Sequence, residues 1–164
     1  MSTTTTSTRE AEIHVDPDVP LVRITREFDF PVERVFRAHV DPELYARWVG
    51  PRGVETVIDH FDCRTGGSYR YVARDENGEY GFFGGFHEVR ANEKIVQTFT
   101  FEGFPDGVAL ETLTLEDLGG GRCRLVATSL VDSFEGRDAF VASGMETGVQ
   151  QGYQQLDELL AEQA

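Results

Sequence analysis

The chain has 164 residues, with 15 Lys and Arg against 29 Asp and Glu, for a net charge of −14. That balance argues against a duplex nucleic-acid binder, which needs a basic footprint, and against docking on an anionic membrane surface. No apolar run approaches the ~20 residues of a membrane-spanning helix, and the length fits one domain with its own core.

Residues 1–18 (MSTTTTSTREAEIHVDPD) lack the basic and apolar regions of a secretory leader. They read as a disordered tail with a short strand around Ile13–Val15, leaving 19–164 as a single domain. Leu21–Phe30 alternates as a strand, with Val22, Ile24 and Arg26 on one face. Pro31 suits the first position of a helix carrying Val32, Val35, Phe36 and His39 on its apolar side. A second short helix follows, with Asp41 as N-cap, Pro42 at its first position and Leu44, Tyr45 and Trp48 on one side. Gly50-Pro51 ends it.

Six strands joined by short turns come next: Val54–Cys63, Ser68–Arg74, Glu79–Arg90, Lys94–Glu102, Val108–Leu118 and Arg122–Val131. Asn77-Gly78 is a strong hairpin signal, and Gly119–Gly121 marks the last turn. Asp132 and Glu135 fit a capping box for a short helix running to Ala142, which Gly144 breaks. A longer helix then carries Met145, Val149, Tyr153, Leu156, Leu159 and Leu160 on one stripe. Seven strands and one long amphipathic helix predict an α+β grip: a curved antiparallel sheet wrapped around the C-terminal helix, with two short helices between the first two strands.

Alternation puts Tyr69, Tyr71, Ile95, Gln97, Phe99, Phe101, Ala109, Glu111, Leu113, Leu115, Cys123, Leu125, Ala127 and Ser129 on the inner face. On Glu79–Arg90, Tyr80, Phe82 and Phe86 oppose Phe83, His87 and Val89, and Gly81, Gly84 and Gly85 announce a bulge or bend without saying which face points inward. The 12 Phe are therefore either dry core or the lining of a cavity. Glu111 and Gln97 are polar among apolar neighbours: either the strand end is wet and Glu111 is paired, or they make polar contacts in an aromatic pocket. Gly144, Gly148 and Gly152 lie along one side of the last helix, each interior Gly costing about 1 kcal/mol against Ala. Either the helix approaches a neighbour closely there, or the missing side chains leave room for a ligand.

Catalytic signatures are missing. His14, His39, His60 and His87 are scattered without ligand spacing, no phosphate loop or nucleophile elbow occurs, and neither catalytic residue, metal nor cofactor is expected. His39 sits on the apolar side of its helix as a core histidine does, while His60 and His87 have no assigned face. Cys63 and Cys123 fit two buried thiols in a reducing cytoplasm, not a disulfide framework.

Ile24–Pro51 (ITREFDFPVERVFRAHVDPELYARWVGP) resembles the opening of the START-like (SRPBCC) superfamily, and within it the heat-shock-protein-90 ATPase activator homologue family. Cys63–Tyr71, Gly84–Val89, Glu111–Leu125 and Ser129–Ala161 fit the same family. The resemblance implies a helix-grip fold, a seven-stranded sheet around a long C-terminal helix, with a cavity between them. His39 and Val49 stand where relatives often have Trp, which alters the size of that cavity.

The resulting expectation is a non-catalytic binding protein for a small hydrophobic molecule, monomeric or homodimeric and cytoplasmic. Trp48, Tyr69, Tyr71, Phe82, Phe86, Phe99, Phe101, Glu111, Met145 and Val149 are its candidate ligand-binding residues. The alternatives are a cyclase- or hydratase-like enzyme using Glu111, His60 or a Tyr as acid/base, and a chaperone-linked interaction module.

Overall fold

A computed structural model describes residues 9–163 of the chain. Its first strand, β1 (Glu12–Val15), pairs antiparallel with β2 (Leu21–Phe28) through Glu12↔Thr25 to Val15↔Val22. The short strand expected around Ile13–Val15 is therefore present, and because it joins the sheet at its edge the sheet has eight strands and not seven. Residues 1–8 lie outside the described residues.

After β2, Pro31 stands at the N-cap of α1 (Val32–Val40), one residue before the position expected for it. Asp41 caps α2 (Pro42–Trp48), its carboxylate accepting the N–H groups of Glu43 (3.0 Å) and Leu44 (3.5 Å). The two helices carry the chain to the far edge of the sheet. From there β3 (Glu55–Phe61), β4 (Ser68–Asp75), β5 (Gly78–Arg90), β6 (Lys94–Phe101), β7 (Ala109–Gly119) and β8 (Arg122–Leu130) return as an antiparallel meander. β8 ends beside β2, giving the order β1-β2-β8-β7-β6-β5-β4-β3.

The short helix α3 (Phe134–Ala142) is capped by Ser133, whose Oγ accepts the Gly136 N–H at 2.9 Å, and not by Asp132. Val131 still bonds to Pro20, which keeps the chain extended past β8 and delays the helix by one residue. Gly144 then takes φ +89°, a left-handed turn suited to glycine, and opens α4 (Met145–Glu162).

α4 buries Met145, Tyr153, Leu156, Leu159 and Leu160, the stripe expected of it, with Val149 half-buried. Two apolar clusters result. The first joins Leu156, Leu159 and Leu160 of α4 to Phe28, Val32, Val35, Cys123 and Leu125. The second is aromatic and lies toward β3–β6, with Phe36, Tyr69, Tyr71, Phe86 and Ile95. Tyr45, Leu113 and Leu115 touch both.

Arg26 is the most consequential of the inward-facing β2 residues. Its side chain is 0% exposed and forms a two-point pair with Asp157 of α4, Nη1 to Oδ1 at 2.9 Å and Nη2 to Oδ2 at 2.6 Å. It also donates to the carbonyls of Glu27 and Arg9 and lies 4.6 Å from the centre of the Phe28 ring.

On the glycine line of α4, Gly152 makes the close approach, whereas a Cβ at Gly144 would meet nothing within 4 Å. A Cβ at Gly152 would sit 3.4 Å from the carbonyl oxygens of Trp48 and Gly50, and one at Gly148 would meet Pro51 at 3.8 Å. Gln155 donates to the Trp48 and Gly50 carbonyls along the same seam (3.2 and 2.9 Å). The missing side chains admit the α2–β3 connection and are not turned toward the sheet.

Breaking a buried ion pair by removing one partner costs about 3–5 kcal/mol. Asp157→Ala is therefore expected to lower the free energy of denaturant unfolding by about that amount. The double change Arg26→Met, Asp157→Leu should recover most of it, because no uncompensated charge stays buried. Gly84→Ala tests a second contact. The new Cβ would fall 1.9 Å from the Thr98 carbonyl oxygen and 2.8 Å from the Tyr69 hydroxyl. We expect a loss of about 1–3 kcal/mol in the same measurement.

Candidate functional site

The inner face of the sheet is read most clearly along β4–β8. Tyr69 and Tyr71 point inward from β4, and both are buried. On β5, Phe82 and Phe86 face the same way, whereas Tyr80 and Phe83 are exposed (36% and 40%), which settles the face the sequence left open. A register shift between Phe86 and Glu88 then reverses the alternation, so Val89 packs inward as well. A Cβ at Gly84 would collide with the Thr98 carbonyl, 1.9 Å from its oxygen, and that same oxygen accepts the Tyr69 phenol at 2.7 Å.

Rings succeed one another across this face. Tyr69 and Tyr71 stack at 6.2 Å, Tyr71 meets Phe82 at 5.3 Å, and Phe82 stacks on Phe99 at 5.3 Å. Tyr45 of α2 closes the group from the helical side, 5.2 Å from Phe61 and 5.8 Å from Tyr71. Tyr153 of α4 stands behind Trp48, stacked at 5.9 Å.

A polar row crosses the aromatic one. Gln97, Glu111 and Ser129 are register neighbours on β6, β7 and β8. Gln97 donates to the Tyr69 hydroxyl at 3.1 Å, and Ser129 hydrogen-bonds the Glu111 carboxylate. The phenols of Tyr45 and Tyr71 bond to each other. Burial raises the Glu111 carboxyl from 4.5 to about 7, with the Ser129 bond opposing the shift. Burial also pushes the phenols of Tyr45, Tyr69, Tyr71 and Tyr153 upward, and the Glu111 charge adds to the effect in each. The tyrosines therefore act as protonated donors and Glu111 as the group that changes charge. Among the described residues no Lys, Arg or His forms an ion pair with Glu111.

The expected site residues divide into three groups. Tyr69, Tyr71, Phe82, Phe86 and Phe99 come together in the aromatic cluster, with Glu111 beside them. Trp48, Met145 and Val149 lie on the helical side: Trp48 is buried with its indole N–H on the Ala38 carbonyl (2.9 Å), Met145 is buried in the first turn of α4, and Val149 is half-buried. Phe101 is 38% exposed, since β6 ends there, and it edges against Tyr80 and Phe82 as part of the rim. Tyr45, Phe61, Tyr153 and Ser129 belong with the site although the sequence did not single them out. Tyr45 shared a helix face with Trp48, which was the available signal, but Phe61 reaches the cluster only because a register shift between Ile58 and His60 turns it inward.

With this geometry in hand, the chain was compared with known proteins. The family model described as activator of Hsp90 ATPase homolog 1-like protein matches residues 29–161. The chain belongs to this family. A protein from Arthrobacter aurescens, solved by NMR, is 26% identical with a TM-score of 0.84, covering 92% of this chain and 91% of that one. A crystal structure of a Rhodobacter sphaeroides protein is 26% identical with a TM-score of 0.83, over 93% of this chain and 99% of that one. A Chromobacterium violaceum protein is 30% identical with a TM-score of 0.74, over 85% and 96%. A search of curated proteins returned no match. The START-like helix-grip expected from Ile24–Pro51 is the fold of this family member, with β1 as an additional strand.

Other titratable groups stand outside this arrangement. His60 is exposed on β3 beside Ser68 (3.2 Å) and Asp59 (3.5 Å), which removes it from any acid/base role with Glu111. His39 is buried against Trp48, its Nδ1 bonded to the Val35 carbonyl at 2.7 Å, and burial lowers it from 6.5 to about 4, so the ring is neutral. Burial lifts the Cys63 and Cys123 thiols to about 12 and about 11, leaving neither as a ready thiolate. Cys63 is only half-buried, short of the full burial expected for it. Among the described residues no His/Cys/Asp/Glu group is placed to hold a metal, and no helix is long and apolar enough to cross a membrane.

Because the Glu111 carboxyl holds its proton more tightly folded than unfolded, its contribution to stability is complete below pH 4.5 and lost as pH rises through 7. Glu111→Gln is expected to unfold like the parent at pH 4. At pH 8 it should be more stable by about 1–3 kcal/mol in denaturant titrations.

Proposed function

We propose that the protein is a non-catalytic carrier or sensor of a small hydrophobic or aromatic molecule, held between the inner face of the sheet and the N-terminal half of α4. One observation carries this. Tyr45, Phe82, Phe99 and Leu113 pack against the aromatic cluster, Val149 packs against the helical one and Glu111 lies on the inner face, yet each keeps solvent-accessible surface. A dry core seals such side chains at native packing density, whereas a pocket leaves them partly open. Mostly apolar walls with a few placed polar groups are the usual character of a small-molecule site. Membership in the Hsp90 ATPase activator homologue-like family is compatible with this reading but names no ligand.

A catalytic reading has one observation in its favour, the Glu111 carboxyl titrating near neutrality among phenols. It would make Glu111 the sole base of the site, since the neighbouring tyrosines hold their protons and His60 is outside. No acid of matching strength stands beside it, and binding is the stronger reading.

The test is direct. The neutral dye N-phenyl-1-naphthylamine should brighten on addition to the protein, and raise the midpoint of thermal unfolding. Val149→Trp, which fills the space beneath α4, should abolish both effects while preserving cooperative unfolding. No brightening with the parent protein, or an unchanged response in a folded Val149→Trp, would overturn the proposal.

A further inference from the structure

We propose that the ligand of this cavity is a lipophilic amine, its protonated nitrogen paired with Glu111 and its apolar body lying against Tyr45, Tyr71, Phe82 and Phe99. This rests on the binding reading above and specifies the chemistry the site would accept.

The first ground is the unbalanced carboxylate. Glu111 is on β7, a central strand of the sheet, and its side chain faces inward, where the Ser129 hydroxyl bonds to it and, among the described residues, no Lys, Arg or His forms an ion pair with it. Buried carboxylates are normally matched by a cation or by several donors. The other buried charge on this face, Arg26, is engaged by Asp157 and by backbone carbonyls. The groups facing Glu111 are Tyr69 and Tyr71 of β4, Gln97 of β6, Ser129 of β8, Tyr45 of α2 and Tyr153 of α4, and none of them carries a positive charge. An inward-facing carboxylate with a hydroxyl partner and no countercharge is one half of an ion pair, and a cation supplies the other half.

The second ground is the surrounding rings. Tyr45, Tyr69, Tyr71, Phe82 and Phe99 pack ring to ring on the same inner face as Glu111, so a cation held there has aromatic neighbours. Ring quadrupoles attract ammonium groups most strongly when water is excluded, and cages of this composition are a known solution to amine recognition. A carboxylic acid would meet repulsion from Glu111 at the same place.

The third ground is the field of the whole molecule. A net charge of −14 draws cations toward the protein and repels anions, which favours entry of an amine over that of a fatty acid or a phosphate ester.

The experiment uses a matched pair differing in one group, 1-naphthylmethylamine and 1-naphthalenemethanol, displacing N-phenyl-1-naphthylamine at pH 8. The amine should bind at least tenfold tighter than the alcohol. Lowering the pH to 5, where Glu111 is protonated and the amine still charged, should erase most of that preference. Glu111→Gln should erase it at both pH values. Glu116→Gln, which removes an exposed carboxylate paired with Arg124 on the same strand, should leave it intact. Equal binding of amine and alcohol, a preference that survives Glu111→Gln, or dye binding that neither compound displaces would overturn the amine assignment while leaving the cavity standing. Failure of the dye itself to bind would remove the cavity and the assignment with it.

Discussion

The grip of the sheet on α4 depends on a single buried charge. Arg26 enters the interior from β2 with no exposed side-chain surface, and Asp157 is what makes that position tenable. An isolated guanidinium there would carry a desolvation cost comparable to the net stability of a small domain. With Asp157 in two-point contact, and the Glu27 and Arg9 carbonyls taking further donors, the same charge fixes the rotation and height of α4 over the sheet. An apolar contact at this position would give burial without fixing register, since hydrophobic attraction has no preferred direction.

Fixing α4 at that point divides the interior. Toward the C-terminal end of the helix, Leu156, Leu159 and Leu160 are sealed against Phe28, Val35, Cys123 and Leu125. On the inner face Phe82, Phe99, Glu111 and Leu113 stay partly open, as does Val149 near the N-terminal end of the helix. The glycines of α4 contribute by a different route than their spacing suggested. Gly152 lets the Trp48–Gly50 backbone run against the helix, and Gln155 ties that contact with two hydrogen bonds. Together they hold the lateral position of the helix.

Much of this was legible in the sequence because it rests on periodicity and turn chemistry. The alternation from Leu21 and the Asp41-Pro42 start of α2 each follow from local rules and reappear in the structure. The stripe from Met145 to Leu160 does so as well. Glu111 and Gln97 were recognisable as polar residues on an inner face, since parity alone puts them there. What escaped depends on events that parity cannot carry. The register shifts at Ile58/His60 and Phe86/Glu88 exchange faces, so Phe61 and Val89 arrive where alternation denies them. Phe101 has the right parity but lies where its strand ends, and parity says nothing of depth. The short strand around Ile13–Val15 was legible as a strand, but its pairing with β2 was not, because edge pairing asks only for a free neighbouring edge. Tyr45 meets Tyr71, 26 positions further along the chain, and no local pattern encodes such a contact.

The two buried groups of shifted charge state pull the protein in opposite directions. His39 is neutral in the fold, so its contribution is complete above pH 6.5 and is lost as pH falls toward 4. Glu111 favours the protonated form, so its contribution is complete below pH 4.5 and is lost as pH rises through 7. His39 packs against Trp48, whose indole N–H is already taken by Ala38, and its Nε2 is buried without a hydrogen-bond partner among the described residues. It is a cost of assembling α1 on α2. Glu111 lies among phenols at the seam between the two apolar clusters, where Gln would fill the same volume and keep a bond to Ser129 without any charge to desolvate. On the amine proposal the carboxylate does what its neutral isostere cannot: it attracts a cation, and the aromatic surroundings favour one with an apolar body.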